Sequence, residues 1–254
     1  MYFGKNKHLL SRTLIVAALV NLVSVGVIAF ASLMINRTGS LAPDMVESAT
    51  WRAQVIISTI QLVLTCGVFL IARKRLADYM KLIPEEDREE MGRLQEETFG
   101  DNIANLSADA IRRLLEIWAV ILIGVQFVYD ITSIVYRNFI FQLFGIFTIT
   151  GLLGDGTFLA VYNSTHGFKY LGMLIAIFLG IMMTGIFLND KLLKLISALL
   201  TVLFLLSFSV MQMSTFTIFG RDIGIVWTSF LFHIIDTAGL LGMAVYLRKR
   251  YLGV

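Results

Sequence analysis

The chain has 254 residues, of which 57% are hydrophobic and 15% charged, with two prolines and a net charge of +3. A water-soluble domain carries nearer a quarter charged residues, so the composition points to lipid and excludes an ordinary soluble fold. Lysines and arginines gather at the ends of apolar runs, which speaks for membrane topology and against a nucleic-acid partner.

The apolar runs are continuous and do not alternate with period two, so they predict transmembrane helices and not a barrel. The first covers residues 13–35, contains Asn21 and Ser24, and follows Lys5, Lys7 and Arg12. It is longer than a signal-peptide core and is read as a retained membrane helix. A polar connector with Gly39, Pro43, Asp44 and Glu47 as turn or cap residues leads to a second run, 53–72, which stops at Arg73, Lys74 and Arg75. The single cysteine, Cys66, lies inside it and leaves no intramolecular disulfide to be formed. Residues 73–113 hold the only sizeable polar stretch, read as a cytoplasmic helical arm. Within it Pro84 with Glu85, Glu86 and Asp87 marks a helix start, and Ser107 is placed to cap the helix that follows.

The third run, 114–136, carries Glu116, Gln126 and Asp130. The fourth, 139–162, is broken by Gly154, Asp155 and Gly156. The fifth, 170–188, sets Gly172, Ala176, Gly180 and Thr184 at four-residue spacing, a stripe of small residues that lets another backbone approach closely. After Asn189, Asp190 and Lys191 comes the sixth, 192–219, with a polar second half that includes Gln212. The last, 223–247, holds Ser229, His233, Asp236 and Thr237 and ends at Arg248, Lys249 and Arg250.

Seven runs put the chain ends on opposite sides of a membrane. Yet the basic clusters around residues 5–12, 73–75 with 112–113, and 248–250 all favour the cytoplasm. If the broken run 139–162 is re-entrant, six crossings remain and the conflict disappears. The fold class is therefore an all-α, polytopic membrane helical bundle of six or seven transmembrane segments, as a single membrane domain over 1–254.

On the last helix Ser229, His233 and Asp236 share one face. A carboxylate at mid-membrane costs at least about 2.5 kcal/mol, which invites either a functional role or a polar clamp between helices. The expected neighbours of the His233–Asp236 pair are the polar half of the sixth run or the Gly-Asp-Gly break. Asp155 between glycines suits a broken helix lining a cavity. The candidate ligand- or proton-binding set is His233, Asp236, Asp130, Asp155, Gln212 and Ser229.

Other chemistries fail on inventory. The last run has no lysine for a retinal Schiff base, and three histidines are too few for a His-rich metal site. Ser229, His233 and Asp236 lie on one helix, whereas a hydrolase triad draws on separate elements. No enzyme activity, cofactor or metal is expected. The reading is a multi-pass cell-membrane protein that transports or senses a small solute or proton. The alternative is a structural or regulatory subunit of a membrane protein complex that uses the 73–113 arm to reach its partner.

Overall fold

The computed structural model describes residues 8–37, 43–82, 108–135, 174–213, 217–218, 221–222 and 225–251. Among them are six helices: α1 (Leu9–Arg37), α2 (Pro43–Lys81), α3 (Ala108–Val135), α4 (Leu174–Phe187), α5 (Lys191–Met213) and α6 (Ile225–Tyr251). The one exception to helix is a minimal antiparallel pair between α5 and α6, β1 (Thr217–Ile218) with β2 (Arg221–Asp222), in which Thr217 faces Asp222 and Ile218 faces Arg221. Two stretches, Leu9–Ala31 in α1 and Val55–Lys81 in α2, are long and apolar enough to cross a bilayer.

Helix ends depart from the apolar runs for a physical reason. Pro43 is not a connector residue but the first residue of α2. Its fixed φ suits the first turn of a helix. At 39 residues α2 is about 58 Å long, well beyond a hydrocarbon core of about 30 Å. At its other end it continues through Arg73, Lys74 and Arg75 to Lys81. The sixth run is also corrected: its helix stops at Met213, and Thr217 and Ile218 belong to the short strand pair. The proposed helix start at Pro84, the Ser107 cap and the run 139–162 lie outside the described residues.

Burial is arranged inside out. On α1, Val16, Leu19, Val23, Val27 and Phe30 are exposed, while Asn21, Ser24 and Ser11 are buried with Leu10, Leu14 and Ala18. On α2, Ile56, Ile60, Val63 and Leu70 are exposed, while Gln61 and Thr65 are buried with Phe69, Ala72 and Leu76. Polar groups on the packed face and apolar ones on the outer face would be a liability in water, whereas a lipid environment favours both.

The described helices alternate in direction. The Ser11 hydroxyl donates to the Ala244 carbonyl at 3.1 Å and Asn21 donates to Thr237, so α1 and α6 are antiparallel. Residues 38–42 alone separate α1 from α2, and Asn21 meets Gln61 across them. Between α2 and α3, Ser58 pairs with Asp130 and Arg73 with Glu116, again antiparallel. Ile177 packs at Gly239 while Asp190 meets Tyr246 and Tyr251, so α4 is parallel to α6. The starts of α1, α3 and α5 and the ends of α2, α4 and α6 therefore share one end of the bundle. Residues 136–173 leave and re-enter the described structure at the other end.

The small-residue stripe of α4 is buried as its spacing predicts: Ala176 and Thr184 are fully buried, and Gly180 lies under the ring of Trp118. The Trp118 indole donates to Thr184 Oγ1 at 3.0 Å, which fixes α3 against α4.

Candidate functional site

A polar layer crosses the bundle at the depth where α1, α2 and α6 meet. Gln61 Nε2 donates to Asn21 Oδ1 at 3.0 Å, and Asn21 Nδ2 donates to Thr237 Oγ1 at 3.0 Å. One carboxamide on α1 thus joins α2 to α6, with each of the three side chains at most 5% exposed. Asp236, next to Thr237, is fully buried at 0%. Neighbouring Ile234 and Ile235 are exposed, so α6 turns its acid inward and its isoleucines outward.

A second polar group sits one turn away on α2. The Ser58 hydroxyl donates to Asp130 Oδ1 at 2.6 Å, and Gln126 Nε2 donates to the Ser58 carbonyl at 3.1 Å. Ser58 and Gln61 are three residues apart, a rise of about 4.5 Å along the helix, so both groups lie at nearly the same depth. Gln126 Oε1 and Asp130 Oδ2 are buried and have no hydrogen-bond partner among the described residues. Two acceptor oxygens one turn apart on α3, each without a described donor, can accept hydrogen bonds, and the Asp130 carboxylate can also take a proton.

The third group lies at the basic end of the bundle and was not singled out from sequence. Asn189 adopts φ 50°, and the amides of Asn189 and Asp190 return to the carbonyls of Ile186 and Gly185, closing α4 with a Schellman turn. Asp190 then caps α5, its Oδ1 accepting from the amides of Leu192 at 2.9 Å and Leu193 at 3.3 Å. Its Oδ2 accepts from the hydroxyls of Tyr246 and Tyr251 and lies 3.4 Å from Arg250 Nε. Burial works to raise its pKa, but the two tyrosine hydroxyls and the two amides outweigh it and hold the carboxyl below its ordinary range. One side chain ties the start of α5 to the end of α6, and its backbone amide closes α4. The signal in the sequence was a turn of Asn then Asp between two apolar runs, which suits a left-handed residue followed by an N-cap.

Of the candidate residues, Asp236 and Asp130 are both within the bundle, each in its own group. No described hydrogen bond joins them, and α2 stands between. Ser229 and His233 lie on α6 at seven and three residues before Asp236, on the same helix face, but their side chains are outside the described set, as is that of Gln212 on α5. Asp155 lies outside the described residues altogether. The bonds described at the depth of Asp236 come from α1 and α2, through Asn21 and Gln61. Among the described residues, no three His, Cys, Asp or Glu side chains are grouped to hold a metal. Comparison with known protein families, curated proteins and solved structures returned no match.

Proposed function

We propose that this is a multi-pass cell-membrane protein that moves or senses a proton or small solute through the buried polar layer, without enzymatic chemistry. The observation that carries the reading is Asp236, fully buried beside the Gln61–Asn21–Thr237 chain in helices whose outer faces are apolar. An intramembrane carboxyl costs about 2.5–3.5 kcal/mol on insertion scales, so one kept at full burial leans to a functional role. The amide groups cannot titrate, so Asp236, Asp130 and His233 are the groups assigned to carry charge change.

Six crossings fit this function. The alternating helix directions support them, because residues 136–173 start and finish at the same end, as a re-entrant segment does. The shared end of the bundle carries Arg12, Arg73, Lys74, Arg75, Arg112, Arg113, Lys191, Lys194, Arg248, Lys249 and Arg250, which assigns it to the cytoplasm.

The test is proton flux in vesicles that contain the purified protein and an internal pH-sensitive dye. Wild type is expected to collapse or respond to an imposed pH gradient, and Asp236→Asn and His233→Ala to lose that behaviour while still inserting. Unchanged behaviour in both variants ends the proposal. The reading as a structural or regulatory subunit has its own support: α2 runs on from Arg73 to Lys81 with Leu76 packed on the core and charged residues Arg73, Lys74, Arg75, Asp78 and Lys81 beside it, leading toward residues 83–107. Under that reading, deletion of residues 84–98 abolishes co-purification of a partner membrane protein, and Asp236→Asn does not.

A further inference from the structure

We propose that the cleft between α2 and α3 at the basic end of the bundle is a binding site for an anionic phospholipid, whatever the polar layer does. The cleft encloses about 260 Å³ and is open along one side. Its upper wall is Cys66, Leu70, Ala119, Val120 and Ile123; its lower mouth is Arg73, Arg112 and Glu116.

The two helices give the cleft one direction. Because α2 and α3 are antiparallel, moving from Arg73 back to Cys66 on one and from Arg112 forward to Ile123 on the other leads the same way. Both paths pass from charge to hydrocarbon. From Arg112 to Ile123 is about 16 Å of helix rise. The result has the polarity of an amphiphile: a charged mouth at one end and a long apolar wall, where Leu70 and Val120 are 64% and 73% exposed, at the other.

Charge selects the headgroup. Glu116 Oε1 lies 3.2 Å from Arg112 Nε and 4.0 Å from Arg73 Nε. A single carboxylate cannot neutralise two guanidiniums, so the charged lining of the cleft, Arg73, Arg112 and Glu116, keeps a net positive charge. Both arginine side chains are at least half exposed, so their planar donors are free to take phosphate oxygens in pairs. A choline headgroup would bring a cation against these arginines, whereas a phosphate diester without it would not. Basic pockets between helices at the cytoplasmic face are suited to acidic lipid headgroups for this reason.

The experiment is native mass spectrometry of the full chain in mild detergent, titrated with phosphatidylglycerol and with phosphatidylcholine of the same acyl chains. Phosphatidylglycerol is expected to bind at lower concentration. Arg73→Gln with Arg112→Gln should weaken it by roughly 10- to 30-fold, at about one charge-assisted contact per arginine. Glu116→Gln should tighten it, since it removes the competing carboxylate, and a lost fold cannot mimic that gain. Val120→Trp should block the chain and lower binding with the arginines intact. Equal binding of the two lipids, no response to the arginine pair, or equal competition by glycerol phosphate without chains overturns the proposal. So does a mass shift to a dimer that takes the place of lipid.

Discussion

Gly180 offers the sharpest test of the packing. A Cβ built there would lie 2.4, 2.5 and 2.8 Å from three atoms of the Trp118 ring. That ring is 0% exposed and its indole nitrogen is committed to Thr184, so it is not a loose side-chain end that can swing away. Gly180→Ala must therefore shift α4 or displace Trp118 and lose the hydrogen bond. Overpacking costs about 1–3 kcal/mol, and a bond between membrane helices about 0.6 kcal/mol more, giving roughly 2–4 kcal/mol in all. The assay is reversible unfolding in mixed micelles with rising denaturing detergent, followed by loss of helical circular dichroism. Gly124→Ala on α3 is the control, since nothing lies within 4 Å of its added Cβ. It should be neutral or stabilising by about 0.5–1 kcal/mol, as alanine is the better helix former. Trp118→Leu should relieve Gly180→Ala in the double variant, because the two positions are in contact. Equal midpoints for Gly180→Ala and Gly124→Ala would refute the close approach of α3 and α4.

Asn21→Leu should lower stability by about 1–3 kcal/mol in the same assay, because it leaves Gln61 and Thr237 without their described partner; a midpoint like wild type would mean that the layer holds nothing together. Ser58→Ala strips the donor from Asp130 and should cost about 1–2 kcal/mol, whereas Ser58→Ala with Asp130→Leu should recover most of it, since removing both partners is nearly neutral. Asp190→Asn should destabilise by about 1.5–3 kcal/mol at neutral pH through loss of charge-assisted bonds. Its carboxyl is held below the ordinary value of 3.8, so the wild-type advantage is fully present above that value and disappears as pH falls through the lower, folded one. A gap between wild type and Asp190→Asn that stays constant down to strongly acidic pH would contradict the assignment.

Among the described residues, helix existence was legible in the sequence because a long continuous apolar run has few other uses. Helix ends were not, since polarity reports where hydrocarbon stops and not where backbone bonding does. Pro43 and Lys81 both lie beyond the apolar part of α2 for that reason. The stripe through Ala176, Gly180 and Thr184 was readable because helical periodicity alone puts those residues on one face. What it packs against, Trp118, was not readable from spacing. The same holds for the polar layer: Asp236 announced itself as an acid in the middle of an apolar run, whereas the bonds from Asn21 on α1 to Thr237 on α6 and to Gln61 on α2 exist only through helix packing. Asp130 was singled out as an acid within the third run, whereas its described partner, Ser58, comes from α2 and was not readable from spacing. Asp190 was passed over because a turn between two apolar runs looks like a connector until the tyrosines of α6 are brought to it. Relative helix direction was not readable either: residue composition does not encode it, and the pairs Ser11 with Ala244 and Ser58 with Asp130 do.

One measurement reaches the foundation of all of this: the side of the membrane reported by a fusion placed after Val254, paired with one placed between α1 and α2 in residues 38–42. Six alternating crossings with a basic cytoplasmic end require the first reporter to read cytoplasmic and the second extracytoplasmic. A cytoplasmic signal from both, or an extracytoplasmic signal from the one after Val254, contradicts the bundle's placement in the membrane and the transport or sensing role built on it.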